Sequence, residues 1–106
     1  MDNTDASLRL AEVWGFCQAR LNETAIALLA YREGRDPSAA EATPYRDAEF
    51  GLADIALKRT LLEEHAPNFP AVATAVCRID GDDCPFTQHL AALYDTHPDY
   101  QASWRP

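Results

Sequence analysis

The chain has 106 residues, 47% of them apolar and 25% charged, with nine basic and seventeen acidic side chains and a formal charge of −8. This fits one globular domain with a modest core and excludes bulk disorder. The acidic field opposes sequence-independent binding to nucleic acid or an anionic membrane, and no apolar run is long enough to span a bilayer.

In chain order, the first predicted helix covers about 7–32, with Asp5 or Ser7 as its cap. Leu10, Trp14, Cys17, Leu21, Thr24, Leu28 and Tyr31 alternate at spacings of four and three, a heptad stripe along a helix about 40 Å long. Val13 widens one edge, and Gly34 supplies the stop. The stripe has two readings: packing against the second helix, or a dimer interface from Leu10 to Tyr31. Residues 34–43 read as a loop.

Thr43 and Pro44 open a second predicted helix, about 44–65. Ala48, Leu52, Ile55 and Leu62 lie on one face; Phe50, Ala53, Leu57 and Leu61 lie opposite. A helix apolar on both sides is expected to be sandwiched, between the first helix and the C-terminal segment. Pro67 and Pro70 end it and begin an irregular linker, 67–84. Within that linker, 71–76 fits a strand or a helical turn, and Asp80-Gly-Asp-Asp83 is a tight turn. Asp83 or Cys84 caps a third helix, about 85–95, carrying Phe86, Leu90, Leu93 and Tyr94. His97-Pro98 ends it, and a final turn at 98–104 brings Tyr100 and Trp104. The expected architecture is all-α: a long antiparallel hairpin, a short third helix and a docked Trp-bearing tail.

The residues able to carry chemistry gather late in the chain. His65, Cys77, Asp80 and Cys84 have the types and spacing of a zinc ligand set, drawn from a helix end, a loop and a helix start. His89 or His97 is an alternative to Asp80. A metal would hold an irregular linker that has little core of its own. The competing readings are small buried thiols with a polar helix end, or a Cys84 nucleophile served by a histidine base. The Asp80–Asp83 turn is too short and wrongly spaced for an EF-hand. Scattered glycines and the lack of a basic patch argue against nucleotide chemistry.

The pattern Cys84-Pro-x-Thr87-x-x-Leu90-Ala91, then Tyr94, His97-Pro-Asp-Tyr100 and Trp104-Arg-Pro106, resembles the C-terminal signature of a family of small uncharacterised proteins. These occur in high-GC Gram-positive bacteria and their phages. Ala56-x-Lys58-Arg59, His65 and the Phe16-x-x-Ala19-Arg20-Leu21 run extend the likeness over most of the chain. The resemblance implies a fold and recurring positions, not an activity. It also implies that relatives carry a Cys-x-x-Cys pair where this chain has Cys77-x-x-Asp80.

Three cysteines and an acidic start without a basic or apolar leader lead us to expect reduced thiols and a cytoplasmic location. Two function classes follow. One is an interaction or regulatory protein that binds another protein through a helical surface or the aromatic end formed by His97, Tyr100 and Trp104. An acidic phage-type inhibitor is its variant, disfavoured by the dispersal of the acids among arginines. The other class is a zinc-binding or thiol-dependent protein centred on His65, Cys77 and Cys84.

Overall fold

In the computed structural model, residues 3–35, 45–68, 76, 77, 79 and 84–106 are described, with 3–9, 68 and 76 described for the backbone alone. The elements are α1 (Asn3–Arg32), α2 (Ala48–Glu64), β1 (Pro67–Asn68), β2 (Val76–Cys77), α3 (Pro85–Ala92) and a closing 3₁₀ turn, Ala102–Trp104. The chain is all-α, its only extended pairing among the described residues being one antiparallel two-residue ladder. No helix among the described residues is long and apolar enough to cross a membrane.

Helix boundaries follow their capping chemistry. α1 begins at Asn3, so Asp5 and Ser7 lie inside its first turns instead of capping it. Its end is a complete Schellman motif: Arg35 N–H donates to the Ala30 carbonyl at 2.9 Å and Gly34 N–H to the Tyr31 carbonyl at 3.1 Å. Gly34 takes the left-handed φ of 74° that this motif requires. α2 starts at Ala48, four residues later than the Thr43-Pro44 signal, which lies outside the described residues. Asp47 is its cap, its carboxylate accepting from Glu49 N–H at 2.9 Å and Phe50 N–H at 3.3 Å. α3 is shorter than the periodicity predicts, ending at Ala92 and passing into turns.

The chain divides into two compact units, Ala19–Leu61 and Met1–Gln18 with Leu62–Pro106. In the first, the later part of α1 packs antiparallel on α2. Arg59 donates to Asn22, Arg32 lies 3.5 Å from Glu49, and Gly51 sits against Leu28. A Cβ on Gly51 would meet Leu28 Cδ1 at 2.8 Å and the Tyr45 ring at 2.9 Å, so the close approach needs glycine. Leu21, Leu28 and Ile55 are essentially inaccessible. Tyr45 donates to Asp54, which also pairs with Lys58 at 2.8 Å. The Lys58 bond and then the Tyr45 bond hold the Asp54 carboxyl below the usual range, while burial and Asp54 push the Tyr45 phenol up.

The expected burial of both apolar faces of α2 is not found. Gly51, Ile55 and Leu62 are buried, but Phe50 is 65% and Leu57 59% exposed, with Ala53 exposed between them. The C-terminal segment packs onto the beginning of α1. There Phe16 is the hub, its ring 5.2 Å from Trp104, 5.6 Å from His97, 5.9 Å from Tyr100 and 6.4 Å from Tyr94, centre to centre. Trp104 is buried in this cluster, so the tail is docked. Trp14 Nε1–H donates to the Leu62 carbonyl at 2.8 Å, fixing the end of α2 within this unit.

Candidate metal centre

The end of α2, β2 and the start of α3 converge within this second unit. His65 follows α2 in a turn, its N–H donating to the Leu62 carbonyl at 3.1 Å. Two residues on, Pro67 pairs in register with Cys77 across the ladder, which returns Cys77 to the neighbourhood of His65. Proline suits that place because a two-residue ladder has an outer side where no N–H is needed. Cys84 is the N-cap of α3, followed by Pro85 in the first turn.

These three elements put His65 Nδ1 3.4 Å from Cys77 Sγ and 3.5 Å from Cys84 Sγ. All three candidate ligand atoms lie within 4.8 Å of one another, a group close enough to hold a metal ion. The sulfurs are buried, Cys77 at 2% and Cys84 at 1% exposure, under Leu10 of α1 and Phe86. His65 is half-buried and stacks on Phe86, centroids 4.6 Å apart and planes 22° from parallel. That stack holds the ring plane, and Nδ1 lies on the edge toward the sulfurs.

Hydrogen bonds link the three groups pairwise, Cys84 bonding to Cys77 as well as to His65. One imidazole nitrogen has either one proton or one lone pair, yet two sulfurs approach it equally. Bond lengths of about 2.3 Å to sulfur and 2.05 Å to nitrogen in a tetrahedron give an S···N edge of about 3.5 Å. The two distances match that edge, and two thiolates with an imidazole are a donor set suited to zinc.

Burial pushes the Cys84 thiol up to about 11; hydrogen bonds from the Thr87 side chain and backbone act against this, and Cys77 adds to it. Metal binding therefore has to release thiol protons, and affinity must fall in acid. Cys17 is also buried and raised to about 12, by burial first and then by Cys84; its S–H donates to the Thr87 carbonyl at 3.6 Å. Cys17 stands outside the ligand group.

Of the residues that the sequence marks as ligands, His65, Cys77 and Cys84 come together, and Asp80 lies outside the described residues. His89 is exposed on α3, and His97 belongs to the Phe16 cluster with its Nδ1 accepting from Asp99 N–H at 3.0 Å. Of the proposed partner-binding residues, Trp104 is buried while Tyr100 and His97 are half-buried around Phe16. Thr87 and Phe86 are the site residues that sequence reasoning missed. Thr87 is fully buried with its hydroxyl 3.0 Å from Cys84 Sγ, and its only sequence signal is its place in the Cys84-Pro-x-Thr87 pattern.

Fold and site together define a small helical protein in which a half-buried imidazole meets two buried thiols. The model of a family of unknown function, DUF6221, matches residues 10–106, and the chain belongs to that family. The match spans His65, Cys77, Cys84 and Thr87. No curated protein and no solved structure matches the chain.

Proposed function

We propose that this chain is a zinc-binding protein in which His65, Cys77 and Cys84 hold the ion. The observation that carries the reading is the pair of near-equal distances from one imidazole nitrogen to two buried sulfurs. A bound ion would tie the end of α2, β2 and the start of α3 together. Among the described residues, a two-residue ladder and a small cluster of Leu10, Cys77, Cys84 and Phe86 join those segments, and an ion would add to them. The role is structural, in a protein of the reducing cytoplasm where thiolates stay available as ligands. Cobalt titration tests it. Wild type is expected to give an intense thiolate-to-cobalt band, halved in Cys77→Ser and Cys84→Ser, and an absorbance no stronger than that of free cobalt in wild type defeats the reading.

A second reading rests on the exposed Phe50-Ala53-Leu57 face of α2. Apolar side chains at this spacing suit an amphipathic partner helix, so the interaction role belongs to α2 in preference to the buried Trp104. Replacing Phe50 and Leu57 together by Ser is expected to abolish partner binding while leaving the unfolding midpoint within about 2 °C of wild type, since surface changes cost little. A large loss of stability would instead make these residues part of the core.

A further inference from the structure

The donor set does not stop at the ligands. Thr87 is three residues after Cys84, one turn into α3, and is fully inaccessible to solvent. Its Oγ1 lies 3.0 Å from Cys84 Sγ. Its carbonyl receives the Cys17 S–H, so both polar ends of the residue are engaged with sulfur. Threonine gains nothing in helix propensity at a buried position, and a buried hydroxyl needs a partner. Valine would fill the same volume without that need.

Resting on the zinc reading above, we infer that Thr87 is a positioning residue for the metal, its hydroxyl donating to the Cys84 thiolate and orienting the sulfur toward His65 and Cys77. The direction of donation follows from the chemistry. A metal-bound Cys84 is a thiolate with lone pairs only, so the hydroxyl has to be the donor, whereas beside a protonated thiol either atom can donate. The bond becomes charge-assisted only when the metal is bound. It thus favours the loaded state over the empty one and tempers the sulfur's electron donation to the ion. Partners of this kind typically change metal affinity by about ten- to a hundredfold when removed. Because Cys84 stands at the N-cap position of α3, the same hydroxyl couples the start of that helix to occupancy of the site.

The test is a cobalt titration, in competition with a chromophoric chelator, of wild type, Thr87→Val and Thr87→Ser. Thr87→Val is expected to bind about tenfold or more weakly, with its sulfur-to-cobalt band shifted to lower energy because the sulfur donates more freely. Thr87→Ser is expected to restore both the affinity and the band. A purely packing role would alter unfolding of the metal-free protein without moving the band. Wild type that gives no thiolate–cobalt band overturns the zinc reading and this inference together. Wild type that binds while Thr87→Val matches it in affinity and band energy overturns this inference alone. Should Thr87→Val fail to fold, Thr87→Ala against Thr87→Ser decides: equal binding by the two refutes the role of the hydroxyl, and weaker binding by Thr87→Ala supports it.

Discussion

Replacing Phe16 by alanine examines how the tail is held. Phe16 is 8% exposed and its ring meets four others, from Trp104 at 5.2 Å to Tyr94 at 6.4 Å. Truncating a buried phenylalanine costs about 3–5 kcal/mol once the residual cavity is included. Aromatic pairs contribute about 0.5–1.5 kcal/mol each beyond their buried area. With three of the four partners drawn from the last ten residues, collapse of the tail into the space is limited, and the upper half of that range is expected. Total stability for a chain of this size is about 5–15 kcal/mol, so the variant should be marginal. Urea unfolding at constant metal, followed by tryptophan fluorescence, measures it. Leu57→Ala, at a position 59% exposed, serves as the control and should change stability by no more than about 0.5 kcal/mol. A Phe16→Ala cost below about 1 kcal/mol, or equal to that of Leu57→Ala, would refute the docked tail.

Other expectations follow from the same geometry. Gly51→Ala should destabilise by about 1–3 kcal/mol, because its methyl would fall 2.8 Å from Leu28 and 2.9 Å from Tyr45; denaturant unfolding reads this directly. Asp54 has its carboxyl lowered by Lys58 and Tyr45, so its contribution is complete above the unfolded Asp value of about 3.9 and disappears as pH falls through the lower folded value. Wild type should therefore exceed Asp54→Asn in stability at neutral pH, the difference shrinking in acid; a constant difference down to pH 2 would contradict this. Cys17, raised to about 12, stays protonated in the fold while the unfolded thiol ionises, so its contribution is intact below the unfolded value and is lost as pH rises from about 9 toward 12. Thermal melts of wild type and Cys17→Ala over that range should converge as alkali is added.

The long-range pattern of α1 was legible in the sequence because one side of a helix repeats. Leu10, Val13, Cys17, Leu21, Thr24 and Leu28 are all buried. Tyr31, the last of the stripe, is 42% exposed because α1 ends one residue later and the Gly34 turn leads the chain away. On α2 the same logic identified two apolar faces without revealing which would find a partner. Periodicity marks a face that can be buried but does not say which of two such faces will be. α2 starts at Ala48, where the Asp47 carboxylate caps the free amides of its first turn.

The candidate site was legible in its residue types. Thiols and imidazoles are scarce, with three of each in the chain, so their clustering in sequence carried information. The register that brings Cys77 beside Pro67, and thereby beside His65, is set by two residue pairs and has no periodic signal. Thr87 carried no signal beyond its place in the Cys84-Pro-x-Thr87 pattern. A threonine in a short helix reads as neutral until its neighbour at one turn's distance proves to be a sulfur. Phe16 gave no warning either, since every ring it meets lies at least 78 positions further along the chain.

The central claim is the zinc site, and the most direct measurement is elemental analysis of protein purified without added metal or a histidine tag, with thiol labelling before and after a chelator. The account predicts about one zinc per chain, with Cys77 and Cys84 protected until the chelator removes it. Protein free of metal, whose cysteines label at the same rate with and without chelator, would contradict it.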